Sequence, residues 1–530
     1  MFKSISQDNQ YKDLRLYKLP LKILFLLAIA IVEVLVATPV LSQIEPNSAK
    51  TQISQKRSPN LETIELKLID IVRLVVQNNR ELKNVYLGRI AERQQLDEAE
   101  GKFAPKVTPN FSVSVNETLS DEPNFEDDFD GFDDGAFASE PTESFDFEDD
   151  VGGDEFERSL QIGAELLTPL GTNITLTADP ISDFEVVGLE VRQPLMRGAG
   201  TRVNRASVKS ARLTDKRQIL ELKRTSIDRI TEGVKAYRSL IQAQEEVRIR
   251  QRSLESRRQD LKVQKALVES GRRARADLVQ LRSSVAGAEE QLLSALNSQA
   301  QANADLLQII DTDRNFEIII PQKTIQNLTD RSLFRPVRFD QKQLLEQAYD
   351  RRPDYLQANL DLKIASFELI EPKDERRWQL DAVSNLNLGD SSQAIAGLEL
   401  TKTLGDRSLT TAFETARVEL LQKQNDLQES TETVRIEVRD RIDDVNSNLA
   451  QIGKARQAKK LARERLRIVR QLYRRGRGGI DIFEVTSQQD QVVEAQNTEL
   501  NAVIGYLNAQ TDLEQSLGTT LDTWQELLDK

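Results

Sequence analysis

The sequence contains neither cysteine nor histidine. The first absence removes disulfides, thiolate nucleophiles and Cys-ligated metals. The second removes imidazole bases and most transition-metal sites. No G-x-x-x-x-G-K-[ST] phosphate loop and no G-x-S-x-G nucleophile elbow occurs. Aromatics are only 5%, and 530 residues include just 15 Pro and 23 Gly. Few helix breakers, with abundant Ala, Leu, Gln, Glu and Arg, point to long helices and coiled coil. A chain of this length exceeds one ordinary core of roughly 100–200 residues, so several domains or one elongated architecture is expected. Pairs such as Glu289 and Glu290 make no hydrolase, because adjacent helix residues do not face each other. No cofactor is expected.

The net charge of -13 is unevenly placed. Residues 121–157 carry 17 Asp or Glu and no Lys or Arg, and the rest of the chain holds 68 acids against 72 bases. Like charges repel, and Gly, Ser and Pro interrupt the run, so it reads as a solvated loop. Seven Phe are scattered through it. Asp127, Asp128, Asp130, Asp133 and Asp134 offer oxygen ligands for a divalent cation, but their spacing does not match the twelve-residue calcium loop.

At the start, Lys12, Arg15, Lys18 and Lys22 precede an apolar stretch from Ile23 to Val36, followed by Val40 and Ser42 at small-residue spacing. This order predicts a secretory signal peptide over residues 1–42, cleaved near Ser42. A membrane anchor is the alternative, disfavoured by Glu33 and the short span. No other stretch reaches the ~18 apolar residues that a spanning helix needs. An exported chain of this kind would have to cross a membrane with strands.

The chain reads as two copies of one plan. Asn78-Asn79-Arg80-Glu81-Leu82 falls opposite Arg351-Arg352-Pro353-Asp354-Tyr355, and Gly188-Leu189-Glu190-Val191 opposite Gly397-Leu398-Glu399-Leu400. After each comes a long helical run, a glycine-marked break and another helix. Ile227, Ile230, Val234, Tyr237 and Ile241 alternate steps of three and four, and so do Val438, Ile442, Val445, Leu449 and Ile452. Leu254, Leu261 and Val268, like Val493, Leu500 and Leu507, continue at seven. This is a heptad stripe. It is narrow, so neighbouring helices or subunits must complete the packing.

Strand signals are weaker. Val107, Phe111, Val113 and Val115 alternate with polar residues, as do Leu160, Ile162, Ala164 and Leu166, then Ile174, Leu176 and Ala178 beyond a Pro169-Leu170-Gly171-Thr172 turn. Val187, Leu189 and Val191, and Leu386, Leu388, Ile395, Leu398 and Leu400 follow suit. Alternation of this kind suits a membrane barrel strand or a soluble hairpin equally.

Together these features resemble the TolC-like outer-membrane factors of efflux pumps and type I secretion, over about Leu61 to Leu521. The resemblance is carried by the opening ELKLIDIVRLVVQNNREL, the strand exit VRQPLMRGAG, the double repeat and both glycine breaks. It implies a mostly α fold: a long coiled-coil α-helical barrel plus a small transmembrane β-barrel, built from two internal repeats per protomer and closed as a homotrimer. The expected divisions are a linker over 43–60 and a first repeat over 61–320. That repeat has strands about 105–118 and 159–194, an extracellular loop 121–157, and helices about 200–270 and 277–312. A linker over 321–338 leads to a second repeat over 339–521, with strands about 378–402 and helices about 408–474 and 481–518. The acidic loop and the hairpin from Leu160 to Ala178 depart from the family pattern.

The resemblance also assigns the two breaks to a periplasmic mouth. Asp277, Tyr473 and Arg477 match the residues that hold it closed, and Asp481 and Glu484 match acidic positions at the constriction. Gly271, Arg272, Arg273, Arg275, Arg475, Gly476 and Gly478 fall at tips that meet a periplasmic adaptor. Asp277 and Asp481 each precede a helix, so capping of free backbone amides is the other reading of both, and the two roles can coexist. Arginines at the tips also suit a solvated surface. The implied function is passive export across the outer membrane, driven by an inner-membrane ABC or RND-type transporter. The other reading is a secreted coiled-coil scaffold of the envelope. Nucleic-acid binding is not expected, because the basic residues lack interleaved aromatics.

Overall fold

The computed structural model describes residues 62–116, 155–179, 186–271, 273–312, 315–328, 334, 338–388, 392–475 and 479–528. All belong to the unit Asn60–Lys530. The signal-peptide region, the candidate cation ligands and nearly all of the acidic segment lie outside the described residues; Glu155, Phe156 and Glu157, at its end, open a strand.

The chain starts with β1 (Glu62–Glu65), α1 (Leu68–Asn78) and α2 (Arg80–Glu100). Four strands follow: β2 (Lys106–Asn116), β3 (Glu155–Leu167), β4 (Asn173–Asp179) and β5 (Val186–Pro194). Then come α3 (Ala206–Glu269) and α4 (Arg275–Ile309). Next are β6 (Phe316–Ile319), α5 (Gln341–Arg351), α6 (Pro353–Glu368), β7 (Gln379–Leu388) and β8 (Gln393–Thr401). The chain closes with α7 (Ser408–Arg475), α8 (Ile482–Ser516) and α9 (Thr520–Leu528).

α3 and α7 span 64 and 68 residues, rods of about 100 Å at ~1.5 Å per residue. Their heptad stripes are where the packing falls: Ile227, Ile230, Val234, Tyr237 and Ile241 are buried on α3, and Val438, Ile442, Val445 and Ile452 on α7. α4 packs back along α3, and α8 along α7. α2 and α6 lie against the other half of the rods. Arg212 of α3 bonds Glu100 of α2 at 2.8 Å, and Gln357 of α6 bonds Glu221 of α3 at 2.8 Å. Every level of the rods therefore holds four helices.

The breaks that pair α1 with α2 and α5 with α6 have similar backbones. Asn79 (φ -56°, ψ 124°) and Arg352 (φ -71°, ψ 117°) both leave the helix after 11 residues. Asn79 restarts it by accepting from the Glu81 and Leu82 amides at 3.0 and 3.2 Å. Pro353 restarts it at the first helical position, where its missing N–H costs nothing. Here, midway along the rods, the largest core gathers around Ile71, Val75, Tyr237, Ile241, Leu306 and Leu500, with β1 and β6 paired in parallel beside it.

At one end of the rods stands a six-stranded antiparallel sheet in the order β2-β3-β4-β5-β7-β8. One row across it reads Val107, Ala164, Leu176, Leu189, Leu386, Ala394. The adjacent row reads Lys106, Glu165, Thr175, Glu190, Asn385, Ile395. Directly opposed residues share a face and neighbours along a strand alternate, so one face is apolar and the other polar. On the polar face Arg192 holds Glu399 at 2.8 Å, with Asp381 and Glu190 at 3.3 Å. The apolar face is bare: Leu398 is 72% exposed and Phe111 63%. Among the described residues, β2 and β8 each have a partner on one side alone. No described helix is long and apolar enough to cross a membrane.

Candidate functional site

The far ends of the rods form two helical hairpin tips. α3 ends as the Gly271 amide donates to Val268 O at 3.0 Å, with Gly271 at φ +72°. A side chain is strained in that left-handed backbone, so glycine is the natural residue there. Gly479, at φ +64°, turns the second tip. Asp481 then caps α8, accepting from the Glu484 amide at 2.9 Å.

The tips are joined to each other by a chain of polar contacts. The Tyr473 hydroxyl, on α7, donates to Gln264 Oε1 on α3 at 3.1 Å. Gln264 Nε2 donates onward to Asp277 Oδ2, on α4, at 3.0 Å. Tyr473 Oη stands 3.5 Å from the same carboxylate oxygen. Arg273 donates to Tyr473 O at 2.7 Å and lies over its ring, 4.3 Å from the centroid. Burial pushes the Tyr473 hydroxyl above its ordinary range; the charge of Arg273 works against that and Asp277 adds to it. The phenol thus stays a donor. An apolar plug of Leu281, Val469, Ile482 and Val485 packs beside it.

A second layer lies one turn further in. Arg470 of α7 bonds Ser256 and Asp260 of α3 at 3.1 and 3.2 Å, and Gln489 of α8 bonds Asp260 at 2.6 Å. Beyond it Arg257 of α3, 5% exposed, reaches Ser284 of α4 and Asp490 of α8. Each layer ties the α3–α4 hairpin to the α7–α8 hairpin within the single chain.

Of the residues singled out in the sequence, Asp277, Tyr473 and Arg273 come together here. Asp277 does not cap α4 with its side chain; that place belongs to Ala274. Asp481 is a cap, and Glu484 faces Arg465 of its own hairpin at 3.6 Å. Gly271, Arg275 and Arg475 are exposed at the tips. Arg272, Gly476, Arg477 and Gly478 lie outside the described residues. Gln264, Asp260, Arg470, Gln489 and Arg257 were not anticipated. Arg257 and Gln264, buried and seven residues apart, run beside the stripe of Leu254, Leu261 and Val268; polar residues recurring at seven within a heptad were the available signal. Among the described residues no cluster of Asp and Glu is placed to hold a metal ion.

The fold is one of long paired rods carrying a two-faced sheet at one end and latched tips at the other. Residues 161–311 match the family model of the outer membrane efflux protein. The fold is that of solved outer-membrane channels. CusC shares 14% identity at TM-score 0.62, covering 91% of this chain and 99% of CusC. VceC of Vibrio cholerae shares 13% at 0.62, covering 85% and 96%, and the CmeC channel of Campylobacter jejuni 14% at 0.60, covering 92% and 97%. Among curated proteins none matches the sequence. The chain thus has the fold of outer-membrane efflux channels, and residues 161–311 are similar to the outer membrane efflux protein family.

Proposed function

We propose that three copies of this chain close around a common axis as the outer-membrane exit duct of a tripartite efflux pump or type I secretion system. Their sheets join into one barrel, apolar face to lipid and polar face to water, and their rods form a tunnel through the periplasm. The observation that carries this reading is the two-faced sheet with unpaired edges. Unpaired backbone groups in lipid cost several kcal/mol each, and only closure removes them. The two repeats, residues 61–320 and 339–521, would each supply half of a protomer's wall, joined by 321–338. Residues 1–42 would serve as the signal peptide and 43–60 as a linker, with the acidic segment 121–157 at the outer surface.

The tips are the periplasmic mouth. Asp277, Tyr473 and Arg477 would hold it closed, with Asp481 and Glu484 giving a cation-favouring ring. Gly271, Arg272, Arg273, Arg275, Arg475, Gly476 and Gly478 would meet a periplasmic adaptor, which biases a two-state opening. An inner-membrane ABC or RND-type transporter supplies the energy. The test is a planar-bilayer recording of the purified protein. A low-conductance, cation-selective pore from a heat-resistant trimer is expected. A freely soluble protein without lipid affinity would instead establish the envelope scaffold.

A further inference from the structure

We infer that the β3–β4 hairpin is part of the barrel wall, so that three six-stranded sheets make an 18-stranded exit as wide as the helical tunnel. The inference deepens the exit-duct reading and rests on it. The sequence left this hairpin open, because alternation alone does not say which strands pair. In the structure it sits in the middle of the sheet: β3 is paired to β2 along the whole of Lys106–Asn116, and β4 to β5 along Asn173–Asp179. A hairpin packed on as an appendage would not continue the faces of its neighbours. This one does: Ile162, Ala164 and Leu176 share the face of Phe111 and Leu189, and Thr175 shares that of Glu190.

Its turn is also built into the junction between sheet and rods. The Gly200 amide donates to Leu170 O at 2.9 Å, and a Cβ on Gly171 would stand 2.3 Å from Gly198 O. The hairpin is therefore anchored at the rod end and runs outward with the other strands.

The dimensions agree. Strands ~4.8 Å apart and tilted ~40° each occupy about 6 Å of circumference. Eighteen make about 110 Å, whereas twelve, the count without the hairpin, make about 75 Å. Four helices per protomer at each level, at spacings of roughly 9–10 Å, give a tunnel wall of about 110–120 Å. The hairpin thus matches the bore of the barrel to that of the tunnel, and the exit does not narrow. A polymer of helical cross-section, about 10–12 Å, would pass such an exit.

The absence of cysteine makes the test direct. Single variants Ile162→Cys, Leu176→Cys and Thr175→Cys, with Phe111→Cys and Leu398→Cys as references, carry a small maleimide fluorophore. Each trimer is reconstituted in vesicles containing brominated phosphatidylcholine, after its heat-modifiable migration is confirmed. The expected result is several-fold quenching at 162 and 176, equal to that at 111 and 398, with none at 175. Quenching at 111 and 398 but not at 162 and 176 would place the hairpin outside the wall and overturn the inference alone. No quenching at 111 and 398 would overturn the exit-duct reading itself.

Discussion

Tyr473 and Asp277 stand on different helical hairpins, and Gln264 joins them: the phenol donates to its amide oxygen at 3.1 Å and its amide nitrogen donates to the carboxylate at 3.0 Å. Gln264 is 3% exposed, so this relay runs through the interior of the four-helix tip. Swinging the α7–α8 hairpin away from α3–α4 has to break it.

Breaking the relay should open the mouth. A net hydrogen bond is worth about 1 kcal/mol. Three protomers opening together would shift the balance by about 3 kcal/mol, on the order of a hundredfold. Tyr473→Phe, Gln264→Leu and Asp277→Asn are each expected to raise single-channel conductance or open probability in planar bilayers. Tyr473→Phe keeps the ring beside Val469 and Ile482, so its effect isolates the hydroxyl. Wild-type behaviour in all three variants would dissociate this contact from gating.

How much of this was legible in the sequence depends on the range of the interaction. Helix periodicity is local, and Ile227 to Ile241 announced their buried stripe directly. The alternation of Leu160 to Ala178 announced strands, but not their place between β2 and β5, because pairing is set by register with segments far along the chain. The tips show the same division. Asp277 and Tyr473 entered through a family resemblance. Gln264 between them did not: its seven-residue spacing from Arg257 marks a core-facing polar position, but not the residues it would bridge. Asp260 and Arg470 lie 210 residues apart, beyond the reach of any spacing argument.

The restart at Arg352 should make stability fall in acid. Asp354 receives Arg352 at 2.8 Å and the Tyr355 amide at 2.9 Å, while Arg352 also holds Glu437 at 2.6 Å. Burial pushes the Asp354 carboxyl upward, but the hydrogen bond and charge of Arg352 outweigh it and leave it below the usual range. A depressed carboxyl stabilises the fold above its unfolded value, about 4, and that contribution is lost as pH falls through the folded value. Asp354→Asn should cost about 1 kcal/mol at pH 7, reduced by solvent at this partly exposed pair. Its melting temperature should converge with the wild type below pH 4. A constant gap down to pH 2 would mean that the carboxylate charge is not the cause.

Arg238 is a buried charge held by neutral acceptors: Leu507 O at 2.6 Å, Thr511 Oγ1 at 2.8 Å and Asn508 Oδ1 at 3.2 Å. Burial lowers its guanidinium to about 10, with Glu514 and Asp512 opposing. It pins α8 to α3 at mid-height. Arg238→Ala removes the shared donor of Leu507 O, Thr511 Oγ1 and Asn508 Oδ1 and takes a counter-charge from Glu514, whose own carboxyl burial already raises. The expected loss is about 2–4 kcal/mol in thermal unfolding of the detergent-solubilised protein. Arg238→Lys should recover part of it, because an ammonium reaches some of the three acceptors but lacks the planar fork. Equal melting of all three proteins would show these contacts to be energetically idle.

The two faces of the sheet should differ sharply in their tolerance of charge. Leu176 and Leu386 lie in one apolar row, and Thr175 in the polar row beside it. In lipid an arginine near the middle of the hydrocarbon costs about 2–4 kcal/mol, and on a water-filled interior almost nothing. Leu176→Arg and Leu386→Arg are therefore expected to reduce the yield of heat-modifiable trimer in the membrane fraction severalfold. Thr175→Lys should assemble normally and shift the cation preference of the pore downward, because it adds a positive charge beside Glu165 and Glu190. The pair of readouts separates lipid contact from simple misfolding: a destabilised sheet would lose trimer with either substitution. Normal assembly of the two leucine variants would mean that this face never meets lipid, and the barrel would have to be abandoned.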